Sequence, residues 1–186
     1  PCYHELMSQE IETKVLDIDR AAVEAKLGEL QAAFLGQVRL SVDWFRPVGV
    51  REGEDEWFLR IRSDSKGNHE ATWKAKSDIS GTTRRHKEIN IRLDEADKLA
   101  DLFLEIGLEN YAHQEKDRLS WTYKDWRFDM DMYPGMPAFL EIEGTSEEHV
   151  NEAIALLGLQ GLRTWAQGER TLVQDVYTLD WYHMKF

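Results

Sequence analysis

Apolar and charged side chains alternate with a period of two along much of this chain. In a β-strand successive side chains point to opposite faces, so such alternation separates two faces cleanly. Over residues 8–16, Glu10, Glu12 and Lys14 share one face while Ile11, Thr13 and Val15 share the other. Residues 37–46 alternate through Val38, Leu40, Val42 and Trp44. Trp57 to Arg62 sets Arg60 and Arg62 against Leu59 and Ile61, and His69 to Lys76 sets Thr72, Lys74 and Lys76 against Ala71, Trp73 and Ala75. From Thr83 to Leu93, Glu88, Asn90 and Arg92 oppose Ile89, Ile91 and Leu93. Three more runs follow: Ala112 to Tyr123 with Lys116 and Arg118, Trp126 to Met132 with Asp129 and Asp131, and Phe139 to Glu143 with Glu141 and Glu143. Pro47 to Gly53, Ser63 to Asn68, Ser80-Gly81, Lys124-Asp125 and Pro134 to Pro137 supply the breaks.

Between the strands the period changes to that of a helix. Val23, Leu27, Leu30 and Phe34 predict a helix from about Asp19, its N-cap, to a stop at Gly36. Ala96, Leu99, Phe103 and Ile106 predict a second over 94–106, ending at Gly107. Thr145-Ser146-Glu147-Glu148 reads as a capping box for a third, with Val150, Ala153, Ile154 and Leu157 on its stripe. A helical tail is expected over about 165–186. No linker, repeat or low-complexity stretch interrupts the chain, so residues 1–186 read as one domain.

Alternation alone fits an ordinary sandwich with a solvated charged face. The distribution of sign argues otherwise. Like charges are paired two residues apart as Glu10/Glu12, Arg60/Arg62, Lys74/Lys76, Lys116/Arg118, Asp129/Asp131 and Glu141/Glu143. Same-face like charges destabilise a sheet, and a solvated face usually mixes signs with Ser and Thr. Amphipathic helices also need an apolar surface to cover. The expected architecture is therefore α+β: an antiparallel, eight-stranded closed β-barrel with a charged interior and helices packed on its outside.

The chain of 186 residues is 42% hydrophobic and 31% charged, which fits a globular protein. A net charge of −12 opposes a long nucleic acid lying on the surface. No apolar run approaches the roughly 18–20 residues that span a bilayer, and Pro1 to Glu5 has no signal-peptide pattern. The single cysteine, Cys2, excludes an internal disulfide framework and a cysteine-based zinc site. A cytoplasmic setting is the default. The six histidines share no metal-site spacing, and no Walker or dinucleotide-binding glycine pattern occurs.

Unpaired ions in a dry lumen would each cost several kcal/mol, so an inward-charged barrel must hold water, metal and a compact anion. The carboxylates are hard oxygen donors of the kind Mg²⁺ or Mn²⁺ takes. The arginines and lysines offer charge-assisted hydrogen bonds to phosphate oxygens.

Glu10-x-Glu12-x-Lys14 near the N-terminus resembles the signature of the CYTH superfamily, the triphosphate tunnel metalloenzymes. The likeness continues in order through Trp57-Phe58-Leu59-Arg60-Ile61-Arg62, Thr72-Trp73-Lys74, Glu88, Lys116-Asp117-Arg118, Asp131 and Phe139 to Gly144. The resemblance implies a tunnel that binds a triphosphate end-on with a divalent metal. It implies Glu10, Glu12, Asp131, Glu141 and Glu143 as metal ligands and Lys14, Arg60, Arg62, Lys74, Lys116 and Arg118 as the phosphate cradle. Glu88 and Lys74 are the implied catalytic pair. Asn90, where relatives often carry an acid, counts against a full second metal site, and Pro137 stands where many relatives have glycine.

The expected function is a metal-dependent hydrolase of inorganic tripolyphosphate or a small organic triphosphate. A class IV-type adenylate cyclase making cyclic AMP, or a non-catalytic polyphosphate or nucleotide binder, are the alternatives. The expected partner is a small triphosphate, with no long nucleic acid and no membrane, and a homodimer is left open. Mutual repulsion of the acids further predicts that Glu12→Gln leaves the metal-free chain as stable or more so.

Overall fold

The computed structural model of the chain describes residues 8–51, 53, 54, 56–76 and 78–186. Its strands and helices follow in the order β1 (Ser8–Val15), α1 (Arg20–Glu29), β2 (Ala33–Pro47), β3 (Trp57–Asp64), β4 (His69–Ala75), β5 (Asp78–Ser80), β6 (Thr83–Leu93) and α2 (Ala96–Glu105). Then come β7 (Leu108–Tyr123), β8 (Trp126–Met132), β9 (Phe139–Gly144), α3 (Glu147–Leu156), β10 (Thr164–Trp165), α4 (Glu169–Thr171) and β11 (His183–Met184). A single π-helical turn, Leu172–Val176, continues α4. No helix among the described residues is long and apolar enough to cross a membrane.

The expected closed barrel of eight strands is corrected by the topology. The strands form one eleven-stranded sheet in the order β10-β1-β9-β8-β7-β2-β3-β4-β6-β5, with β11 set parallel against β7. This order begins and ends on different short strands. The sheet is curled, and its two limbs meet where Ser8–Glu12 of β1 lies against 84–88 of β6. Farther along, β1 turns to β10, pairing Lys14 with Trp165 and Val15 with Thr164. Alternation tells which face a side chain takes but not where a sheet ends. The two- and three-residue strands β5, β10 and β11 are too short to show it.

Apolar faces and helices meet on the outside of the curl. Ile11, Val15, Leu119, Phe128, Met130, Leu140 and Ile142 pack with Val23 and Leu27 of α1 and Val150, Ala153 and Ile154 of α3. Burying such side chains contributes on the order of 2 kcal/mol each, which holds the opposite, charged face turned inward. A second cluster joins Leu16, Ala112, Tyr133 and Phe139 to Leu172, Val173, Trp181 and Met184, seating the C-terminal segment against one end of the sheet.

The end of α1 differs from the sequence reading. Asp19 does cap α1, its carboxylate accepting from the Ala22 N–H at 3.1 Å. The helix then stops at Glu29, because Gln31 takes a left-handed backbone with φ 58°. Phe34 and Gly36 therefore belong to β2, where Gly36 (φ 128°) sits at a register shift against β7. The third helix is capped by Ser146, whose side chain accepts from the His149 N–H at 3.1 Å.

Candidate active site

Cross-strand register sorts the inward residues into rows. Glu12 stands opposite Glu143 of β9 and Arg84 of β6. Lys14 stands opposite Glu141, which faces Asp129, which faces Ser120. Asp131 stands opposite Arg118, while on the other limb Trp44, Arg60, Thr72 and Asn90 form one row and Phe58, Lys74 and Glu88 another. Lys14, Glu12, Glu88, Lys116, Arg118, Asp129 and Asp131 are all buried, so these charges do not belong to a solvated face.

One limb forms a continuous chain of ion pairs. Lys14 Nζ lies 3.0 Å from Glu141 Oε2 and 3.5 Å from Glu12 Oε1. Arg118 grips Asp131 with two nitrogens, Nε on Oδ1 and Nη2 on Oδ2, both at 2.6 Å, and reaches Asp129 Oδ2 through Nη1 at 2.7 Å. Lys116 Nζ donates to Asp131 Oδ2 and to Glu169 Oε1, each at 2.7 Å. The Tyr133 hydroxyl donates to Glu169 Oε2 at 2.5 Å.

Burial pushes these carboxyls up, yet the cations beside them more than reverse the effect. Arg84 and Lys14 hold Glu12 down to about 2 against the repulsion of Glu141. Lys14, Arg118 and Lys116 hold Glu141 well below the usual carboxylate range, and Lys116 does the same for Glu169. Burial works against the charge on Arg118, but Asp129 and Asp131 keep it firmly protonated. Burial, then Glu169 and Asp131, push the Tyr133 phenol up.

On the other limb the cations are less fully matched. Lys74 is paired with Glu88. Arg62 Nη2 donates to Glu70 Oε1 at 2.7 Å, but burial, with Arg60 and Arg118 nearby, brings its guanidinium down to about 10. Arg60 lies over the Trp44 ring at 5.6 Å, and its buried Nε makes no hydrogen bond. A cavity of about 270 Å³ opens among these groups. Seven cations line it (Arg60, Arg62, Lys74, Lys76, Arg84, Arg118, Arg170) against two carboxylates, Glu141 and Glu169. Trp44, Phe58, Tyr111 and Trp181 add an aromatic part to its wall.

The expected site residues are thus distributed unevenly. Arg60, Arg62, Lys74, Arg118 and Glu141 line the cavity, while Lys14 and Lys116 are paired behind it. Both Asp131 oxygens are committed to Arg118 and Lys116. Glu143 lines a different hollow of about 350 Å³ with Arg127 and Lys124. Glu10 lies in β1, but its side chain falls outside the described residues. Sequence reasoning missed Arg84, Glu169, Tyr133 and Arg170. Arg84 shares the inward parity of Glu88 and was legible in principle. Glu169, from the tail, carries no local pattern that points to Lys116.

A divalent cation is the group the CYTH fold implies, and the donors present fit it. Glu12 and Glu141 are hard oxygen donors close enough to repel each other, and Lys14 Nζ lies between them, 3.0 Å from Glu141 Oε2 and 3.5 Å from Glu12 Oε1. Among the described residues no set of three His, Cys, Asp or Glu side chains forms a complete cage. Mg²⁺ is usually held by one or two carboxylates, substrate phosphates and water, so a full protein cage is not required.

Comparison with known proteins agrees with this architecture. The CYTH domain family matches residues 8–163, and the chain belongs to that family. It is 26% identical over 143 residues to a protein of Methanocaldococcus jannaschii named as a candidate adenylate cyclase, covering 77% of this chain and 80% of the other. A candidate adenylate cyclase from Vibrio parahaemolyticus superposes with a TM-score of 0.75 at 12% identity, covering 89% of this chain and 97% of that one. A Hippeastrum protein, described as a candidate adenylyl cyclase with a dominant triphosphatase activity, superposes at 0.69 with 16% identity over 92% and 97% of the two chains. At those identities the two structures share the fold with this chain.

Proposed function

We propose that this chain is a divalent-metal-dependent hydrolase of a small triphosphate. The observation that carries the reading is the cation-lined cavity with a buried Arg60 Nε that makes no hydrogen bond. A donor buried without a partner costs about 1–3 kcal/mol, a cost that a phosphate oxygen at that nitrogen removes. Phosphoryl transfer needs neutralised phosphate oxygens, an in-line water and little covalent machinery.

Arg60, Arg62 and Arg84 are placed to take the phosphate oxygens, with Arg118 at the acidic end of the cavity. Lys14 orients Glu141, and Glu12 and Glu141 would hold Mg²⁺ or Mn²⁺. When bound, a divalent metal would neutralise charge on the phosphate oxygens. Glu88, ion-paired with Lys74, is the residue we assign to orient the attacking water and to accept its proton. The water oxygen bonds to the terminal phosphorus as the bridging P–O bond breaks, and the leaving diphosphate keeps the electron pair.

The aromatic wall supports a second reading. Trp44, Tyr111 and Trp181 would suit a planar organic group carried by the triphosphate, which keeps a cyclase acting on ATP as the alternative. A panel of tripolyphosphate, thiamine triphosphate and ATP, assayed with Mg²⁺ and Mn²⁺ for orthophosphate and for cyclic AMP, separates the two. Orthophosphate release without cyclic AMP is expected. Cyclic AMP as the main product of ATP would replace hydrolysis by cyclisation.

A further inference from the structure

Arg84 stands opposite Glu12 in the β1–β6 pairing. Its Nε donates to Glu12 Oε1 at 2.5 Å, and its Nη2 contacts the same oxygen. Lys14 Nζ approaches that oxygen too, at 3.5 Å. Glu12 Oε1 is therefore met by three cationic nitrogens, two of Arg84 and one of Lys14, whereas Glu141 Oε2 faces Lys14 Nζ at 3.0 Å. Arg84 is also one of the cations lining the cavity, with its side chain 14% exposed.

A divalent cation arriving at Glu12 Oε1 competes with the guanidinium already there, because two positive charges at one oxygen repel each other. Resting on the triphosphatase reading, we infer that Arg84 is a positioning residue that exchanges partners: it neutralises Glu12 in the metal-free chain, yields Glu12 to the divalent cation, and then donates to the triphosphate. Arginine suits this role. Its planar fork matches carboxylate and phosphate alike, and it stays charged throughout the exchange. The flexible stem lets the head turn within a cavity that it already lines. The exchange also makes metal and triphosphate binding mutually supportive, since each frees or engages the group that the other needs.

The test uses Mn²⁺ alone, followed by the electron paramagnetic resonance of the free ion, and the KM for inorganic tripolyphosphate at saturating Mn²⁺, where Glu12 has been yielded to the metal and Arg84 is free to donate. Wild type, Arg84→Gln and Arg84→Lys are compared. Arg84→Gln should bind Mn²⁺ on the order of tenfold more tightly, because a buried charge competitor has gone. Its KM for tripolyphosphate should rise about tenfold, a charge-assisted donor having been lost. Arg84→Lys, which keeps the charge and supplies a folded comparison if the glutamine variant does not fold, should fall between. Weaker or unchanged Mn²⁺ binding in the folded variants would overturn the exchange, as would an unchanged KM for tripolyphosphate. A lowered melting temperature with Mn²⁺ affinity and KM both intact would reduce Arg84 to a tie between β1 and β6 and also overturn it. Wild-type protein that neither binds Mn²⁺ nor turns over tripolyphosphate would contradict the triphosphatase reading itself, and the exchange with it.

Discussion

Arg118 holds both oxygens of Asp131 at 2.6 Å, and the pair is buried between β7 and β8. Asp131 also carries Lys116, so removing it leaves two cations without this partner in a low-dielectric interior. Breaking a buried pair from one side costs about 3–5 kcal/mol. Asp131→Ala should lose stability of that order in urea denaturation. Tripolyphosphate, which restores negative charge, should raise the melting temperature of the variant more than that of wild type. A loss below about 1 kcal/mol would show that the pair is solvated.

Acid stability follows from Glu12. Its folded value, about 2, lies below its ordinary value of 4.5. A depressed carboxyl contributes stability above its unfolded value, and that contribution is lost as pH falls through the folded one. The loss should fall between about pH 4.5 and 2 and amount to on the order of 3 kcal/mol. Glu141 and Glu169 add in the same direction. Denaturation midpoints measured across this range should drop steeply in wild type and less steeply in Glu12→Gln. Parallel curves would contradict the buried pair.

The same pair reverses an expectation drawn from sequence. Converging acids predicted that Glu12→Gln would relieve repulsion and leave the metal-free chain no less stable. Arg84 supplies the missing term: glutamine deprives a buried guanidinium of its counter-ion, so the variant should be less stable at neutral pH.

Arg60 separates function from stability. Its Nε makes no hydrogen bond, and the Trp44 ring is its recorded neighbour. Arg60→Ala should change stability by about 1 kcal/mol or less, the loss of one cation–π contact. Tripolyphosphate hydrolysis should fall roughly a hundred- to thousandfold. Paired melts and turnover measurements check both halves, and near-normal turnover would remove Arg60 from the cradle.

How much was legible from sequence can be traced residue by residue. The alternation at Arg60/Arg62 and at Glu141 gave the cavity-lining face correctly, because period-two patterning and helix-covered apolar faces are local signals. The end of α1 was misplaced because the apolar spacing through Phe34 suits a helix, while a single left-handed residue, Gln31, redirects the chain into β2. The closed eight-stranded barrel expected from sequence was wrong, and the curled eleven-stranded sheet was not legible, since no local pattern records where β1 leaves β6 for β10. Glu169 reaches Lys116 from 53 residues away in sequence. Its position depends on the packing of Leu172 and Val173 against Leu16 and Phe139.

Orthophosphate release from tripolyphosphate by chelator-stripped protein, before and after Mg²⁺ or Mn²⁺ is restored, tests the central claim most directly. In the proposed reading Glu12 and Glu141 hold the cation; they lie close enough to repel each other, and Glu141 lines the cavity. Stripped protein should therefore be inactive and recover on addition of either ion, and Glu141→Gln should not recover. Full turnover in excess chelator, or equal recovery in Glu141→Gln, would contradict it.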